Sequence, residues 1–121
     1  MQLNALILAL LPAVATVSAE CHRSGINWGV HRDAALRAVD AFCSPSGISG
    51  FFNQGQKKTR CVNTGQQHVD LEVQWVGRGG LTLNDGDCQK RLKDEILACD
   101  RGGRKTTADW YFSADPNEGR C

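Results

Sequence analysis

The chain has 121 residues, a formal net charge of +1 and 41% hydrophobic residues. This length allows one domain and excludes two. The small net charge argues against electrostatic capture of nucleic acid or of an anionic membrane, and the hydrophobic fraction excludes wholesale disorder. We therefore expect one folded domain that acts as a monomer and has no nucleic-acid partner.

Residues 1–19 have the pattern of a secretory signal peptide. They contain no charged side chain, their apolar core runs over Ala5–Val17, and small residues at Val17 and Ala19 favour cleavage before Glu20. The apolar core is too short to span a bilayer, which takes about 20 residues. The sequence thus predicts secretion to the extracellular space, a mature domain over residues 20–121 and no transmembrane anchor.

An even number of cysteines follows the signal peptide, and such a set in a short secreted chain predicts three disulfides. The six are Cys21, Cys43, Cys61, Cys88, Cys99 and Cys121. None shows the C-x-x-C spacing of a zinc site, so no metal is expected. The sequence leaves the pairing open, except that Cys88 and Cys99 lie on one predicted helix, about 16 Å apart, which is beyond disulfide reach.

The first half of the mature chain predicts one helix and two short strands. The helix runs from about Val30 to Cys43, since apolar residues recur there with a spacing of three and four. The strands are Ile48–Phe52 and Lys58–Val62, separated by a polar loop with hairpin composition.

The clearest strand runs from His68 to Trp75. Apolar and polar residues alternate along it, as in an antiparallel strand with one buried face. The apolar residues are Val69, Leu71, Val73 and Trp75. The polar residues are His68, Asp70, Glu72 and Gln74.

A second helix is predicted between Leu81-Thr82-Leu83 and Gly102, with Asn84 as a candidate N-cap. A last strand is predicted over Thr106–Phe112, followed by a turn at Asp115–Gly119. The element order is then α-β-β-β-α-β. This order predicts an α+β fold, in which two helices pack on an antiparallel sheet of about four strands.

The polar face of the clearest strand is the candidate binding site. If the last strand is its neighbour, two further side chains join that face, so that the candidates are His68, Asp70, Glu72, Gln74, Asp109 and Tyr111. Carboxylates and amides suit the hydroxyl groups of a sugar, and an aromatic ring stacks on its apolar face. The alternative is a solvated outer face without a ligand.

Two other functions are weighed against glycan binding. His68 and Glu72 resemble the histidine and glutamate that act as catalytic bases in small secreted fungal ribonucleases. General acid–base cleavage would require a second histidine, however, and none follows in the C-terminal half. The basic clusters around Lys57 and Arg104 would suit a toxin that acts on membranes or channels. No catalytic or cofactor-binding motif is present, so we expect neither an enzyme nor a cofactor.

Several motifs resemble a group of small secreted fungal proteins, the mushroom glycan-binding protein family. They are Cys21-x3-Gly25-x2-Trp28, Gly50-x4-Gly55-x5-Cys61 and Cys88-x3-Leu92-x3-Ile96-x2-Cys99-x2-Gly102-Gly103, followed by Trp110 and Asp115-Pro116-Asn117-x-Gly119-x-Cys121. A looser similarity is to the killer-toxin scaffolds of fungal effectors. The resemblance implies a cysteine-rich secreted effector or lectin-like protein that binds glycan on a host or at the fungal wall.

Overall fold

The computed structural model describes residues 20–121, so the predicted signal peptide lies outside the described residues. The described chain forms seven strands and two α-helices. The strands are β1 (Glu20–Cys21), β2 (Gly50–Phe52), β3 (Lys57–Asn63), β4 (Gln67–Trp75), β5 (Leu81–Leu83), β6 (Gly103–Thr107) and β7 (Trp110–Glu118). The helices are α1 (Arg32–Phe42), preceded by a 3-10 turn at Gly29–His31, and α2 (Asp85–Ala98).

The strands form two antiparallel sheets, one of five strands in the order β1-β6-β7-β4-β3 and one of two strands, β2-β5. The fold is therefore mostly β with two helices. The predicted α+β fold with about four strands in the order α-β-β-β-α-β is wrong, because the predicted last strand is two strands and two short segments, Glu20–Cys21 and Leu81–Leu83, also pair as strands.

The predicted last strand is in fact a hairpin. Ala108 and Asp109 both have positive φ angles, 53° and 64°, and they form the turn between β6 and β7. Two consecutive residues with positive φ are typical of the tight turns whose twist matches that of the flanking strands. Asp-Gly and Asn-Gly are the usual residues at such turns, and their absence here hides the hairpin from sequence analysis.

The segment around Pro116 was predicted to be a turn, but it continues β7. Pro116 pairs with Val69 of β4, whereas the pairing with β6 ends at Ala114. One side of β7 is therefore open at Pro116, and a residue without an N–H group is tolerated at such an edge.

Two short strands complete the sheets. β5 pairs with β2 over three residues, and β1 pairs with β6 through Cys21 and Gly103. Strands this short carry almost no periodic signal. Sequence analysis therefore had little basis for pairing them.

The predicted faces of β4 are confirmed. Val69, Leu71 and Val73 are fully buried and Trp75 is 7% exposed, so these residues form the inner face of the sheet. Helices α1 and α2 pack on that inner face, and their own buried residues include Val39 and Leu92. Asn84 caps α2, as expected, by accepting a hydrogen bond of 2.7 Å from the backbone N–H of Asp87.

Three disulfides are formed, as predicted, and they pair Cys21 with Cys99, Cys43 with Cys88, and Cys61 with Cys121. They join β1 to the end of α2, the end of α1 to the start of α2, and β3 to the C-terminus. Cross-links over such long loops stabilise a small domain by about 2–4 kcal/mol each. Disulfides are typical of secreted proteins, and within residues 20–121 no helix has the length and apolarity needed to cross a bilayer.

The aromatic centre of the core gives a stability prediction. Trp110 is 6% exposed, and its ring centroid lies 4.8 Å from that of Trp75 and 5.0 Å from that of Phe52. We expect Trp110→Ala to lower the free energy of unfolding by about 3–5 kcal/mol, because it leaves a cavity beside the rings of Trp75 and Phe52. Denaturant titration measures the change.

The control variant is Phe51→Ala, which removes an aromatic ring that is 57% exposed. A change at such a site should cost less than about 1 kcal/mol. If Trp110→Ala unfolds like the wild type, then Trp110 is not part of the core.

Candidate functional site

The outer face of the five-stranded sheet carries a continuous polar surface. Its central row is the polar face of β4, and each residue of that row has a partner on both sides. Asp70 lies between Cys61 of β3 and Asp115 of β7, and Glu72 lies between Thr59 and Ser113. Neighbouring strands are about 4.8 Å apart, so these side chains form one surface.

A shallow groove of about 410 Å³ runs across this outer face. We call it the outer groove. The polar residues that line it come from three strands, β3, β4 and β7, and are Thr59, Arg60, Asp70, Glu72, Tyr111, Ser113 and Asp115. Arg60 pairs with the inward-facing Leu71, and its guanidinium donates to the carbonyl of Ser46 on the inner side of the sheet. Three carboxylates and three hydroxyl groups therefore surround one concave space, with both hydrogen-bond donors and acceptors.

One end of the groove is ordered by an amide. The Nδ2 of Asn117 donates to Asp70 Oδ2 at 2.8 Å and lies 3.4 Å from Asp115 Oδ2. His68 Nε2 lies 3.4 Å from the same oxygen of Asp70. Asp70 is thereby held in place while its side chain remains about half exposed, so its second oxygen can accept a hydrogen bond from a ligand.

The other end of the groove is bordered by longer side chains. Glu72 lies 3.8 Å from the ammonium of Lys57. Arg104 of β6 lies opposite Ser113 of β7 and diagonally from Tyr111. Hydrogen bonding to Glu20, together with the Tyr111 side chain, raises the pKa of Arg104 above its ordinary value, so Arg104 is a permanent cation beside the ring.

Five of the six predicted site residues lie on the outer face, and one does not. Asp70, Glu72 and Tyr111 line the groove. His68 and Gln74 stand at the two ends of the β4 row, where Gln74 pairs with Tyr111. Asp109 lies instead in the exposed β6–β7 turn, where its carbonyl accepts a hydrogen bond from the backbone of Val76.

Sequence analysis missed half of the groove. Thr59, Ser113 and Asp115 line it but were not predicted. A signal existed for β7, because polar residues alternate with buried Trp110, Phe112, Ala114 and Pro116 over residues 110–117. The Asp-Pro-Asn sequence, which is typical of turns, obscured that alternation.

One group of potential metal ligands lies beside the groove. The ligand atoms of Cys61, His68 and Asp70 are within 4.8 Å of one another. However, Cys61 is bonded to Cys121, and only a thiolate binds a metal strongly. Two remaining ligands do not make a structural metal site.

A comparison with known families shows the relationship of this chain. The family described as Glycan binding domain Y3 matches residues 35–121. The chain belongs to this family. The Glycan binding domain Y3 match includes most of α1, every strand of the outer groove and the C-terminal cysteine, while a search of curated proteins finds no match.

Membership in the Glycan binding domain Y3 family confirms the predicted resemblance to a glycan-binding family. It supports a lectin-like function with glycans as partners and favours a protein that is not an enzyme. The fungal origin and the looser similarity to killer toxins stay predictions.

A second concave surface of this Glycan binding domain Y3 chain lies on the opposite side of the sheet, between α2 and strands β6 and β7. We call it the helix cleft. It has a volume of about 380 Å³, and Glu95, only 2% exposed, lines it. Burial raises the pKa of Glu95 to about 6, while Lys105 opposes that rise and Asp94 adds to it.

The raised pKa of Glu95 predicts a stability change with pH. An acid whose pKa is higher in the folded chain contributes stability below the unfolded pKa of about 4.5 and loses it as the pH rises through about 6. The difference in unfolding free energy between Glu95→Gln and the wild type should therefore shift by about 2 kcal/mol between pH 4 and pH 7, in favour of the variant.

Thermal or denaturant unfolding of both proteins at several pH values measures this difference. The contributions of the other titrating groups to the unfolding free energy are the same in both proteins and cancel in the difference. Asp33→Asn is the control, because Asp33 is exposed on α1 and is not among the groups that shift the pKa of Glu95. A flat difference for Glu95→Gln across this range would mean that Glu95 ionises normally.

Proposed function

We propose that this chain is a secreted, lectin-like protein that binds extracellular glycan through the outer groove, in host interaction or at the fungal wall. Membership in a glycan-binding family supports the ligand class. Three disulfides are consistent with secretion. The proposed position of the glycan site rests on the outer groove itself, in which exposed carboxylates and a tyrosine ring share one polar surface.

The groove matches the chemistry of a sugar. Sugar hydroxyl groups donate hydrogen bonds to Asp70, Glu72 and Asp115, and charge-assisted hydrogen bonds of this kind are strong. The hydroxyl groups of the groove donate to sugar oxygens. The ring of Tyr111 offers an apolar surface for the C–H face of a sugar, with its own hydroxyl group at the edge.

The outer groove is also preorganised for ligand binding. Asp70 is fixed by Asn117, and the backbone of the whole surface belongs to the paired strands β4 and β7. Side chains on paired strands lose little freedom when they bind, and a low ordering cost raises affinity. A shallow groove that stays open at the surface can receive one or a few sugar units of a longer chain.

The double variant Asp70→Ala/Glu72→Ala tests this proposal. Because both carboxylates are partly exposed and their surface ion pairs contribute little, the free energy of unfolding should fall by less than about 1 kcal/mol. Glycan binding should weaken more than about tenfold, since each lost charged hydrogen bond is worth about 1.5–3 kcal/mol. A glycan array on the oxidised protein identifies the ligand, and calorimetry measures the change.

The control is Asp33→Ala/Asp40→Ala on α1, which removes the same charge from exposed positions away from the groove and should leave glycan binding intact. Unchanged binding in a folded Asp70→Ala/Glu72→Ala variant would place the site elsewhere, such as the loops at 25–29 and 53–57. RNA cleavage or vesicle leakage by a protein that retains no glycan would contradict the proposal as a whole.

A further inference from the structure

Two carboxylates of the outer groove stand directly opposite each other. Asp70 of β4 pairs with Asp115 of β7, and like charges in such positions oppose each other. The Nδ2 group of Asn117 lies 2.8 Å from Asp70 Oδ2 and 3.4 Å from Asp115 Oδ2, but an amide carries no charge that would offset the repulsion. His68 lies beside Asp70 and adds a positive charge only when it is protonated. Among the described residues Asp115 has no ion-pair partner.

The basic residues near the groove do not balance this pair of carboxylates. Lys57 lies 3.8 Å from Glu72, and Arg104 lies 3.0 Å from Glu20. Arg60 lines the groove, but its guanidinium donates to a carbonyl on the inner side of the sheet. The outer groove therefore keeps an excess of negative charge where the two opposed carboxylates meet, and a cationic group of a ligand can neutralise it.

A nearly buried hydroxyl group lies next to the carboxylates. Ser113 is 8% exposed and lines the groove, and its hydroxyl group has no hydrogen-bond partner among the described residues. Such a group is uncommon in a folded protein, and a ligand in the groove can supply the partner. Tyr111, Ser113 and Asp115 follow one another along β7 in steps of about 6.8 Å. A ring, a hydroxyl group and a carboxylate are thus placed in one row.

We propose that the outer groove selects amino sugars with a protonated amino group, such as glucosamine, over neutral sugars. The ammonium group binds between Asp70 and Asp115, a neighbouring hydroxyl group of the sugar bonds to Ser113, and a pyranose ring packs on Tyr111. Hydrogen bonds between an ammonium and a carboxylate are charge-assisted and are stronger than those of a neutral hydroxyl group. This inference rests on the proposed glycan-binding function and names the class of sugar that the groove takes.

Isothermal titration calorimetry of the oxidised protein tests the selectivity. The probes are soluble β-1,4-linked tetramers of glucosamine and of glucose, which differ by an amino group in place of a hydroxyl group on each unit. At about pH 6 the carboxylates are ionised and the sugar amino groups are protonated, and EDTA excludes contacts through a metal ion. We expect the glucosamine tetramer to bind at least about tenfold more tightly than the glucose tetramer. Added salt should reduce this ratio.

Three variants identify the groups that cause the preference. Asp115→Asn keeps the shape of the side chain and removes its charge, so the ratio of the two affinities should fall by about tenfold. Glu118→Gln is the matched control, because it removes one negative charge from an exposed position of the same strand outside the groove and should keep the ratio. Ser113→Ala should weaken both tetramers to the same degree. Amide spectra of the ¹⁵N-labelled variants verify that each one is folded.

The outcomes separate this inference from the proposed function. Equal binding of the two tetramers, or a preference that survives Asp115→Asn, would overturn the selectivity and keep glycan binding by the groove. Equally tight binding of a lysine tetrapeptide would also overturn it, because charge alone would then explain the preference. The net charge of +1 gives the chain no general attraction for cations. A lack of binding by both tetramers would overturn the selectivity and contradict the proposed function for these sugars.

Discussion

The nine-residue pairing of β4 with β7 is the constraint on which the rest of this structure depends. It runs from Gln67 opposite Glu118 to Trp75 opposite Trp110. Because side chains alternate between the two faces of paired strands, this one register directs Trp75, Trp110 and Phe112 inward and the carboxylates outward. The hydrophobic core and the outer groove are therefore two results of the same pairing.

The two faces of the sheet have different requirements. The inner face must be packed by α1, α2 and the small β2-β5 sheet, and the disulfide between Cys43 and Cys88 joins the two helices that cover it. Neither helix packs on the outer face, and its side chains are mostly polar, apart from the Tyr111 ring and the Cys61–Cys121 disulfide. Its polar residues are free of the packing demands of a core, so the groove can carry recognition chemistry with little cost in stability.

The helix cleft shows where packing remains incomplete. Glu95 lies among core residues of α2, yet it keeps a carboxylate where an apolar side chain would pack more favourably. Arg91 and Lys105 flank the same space. A buried charge of this kind opposes folding at neutral pH.

The sequence by itself determined the faces of β4, both helices, the disulfide count and half of the outer groove, because each depends on local periodicity or on composition. Only the tertiary structure decided the sheet order, the disulfide pairing and the addition of Ser113 and Asp115 to the groove. The physical reason is that strand pairing joins residues distant in sequence, such as Asp70 and Asp115. The turn at Ala108-Asp109 and the strand through Pro116 run against local preferences and are imposed by the long ladder with β4.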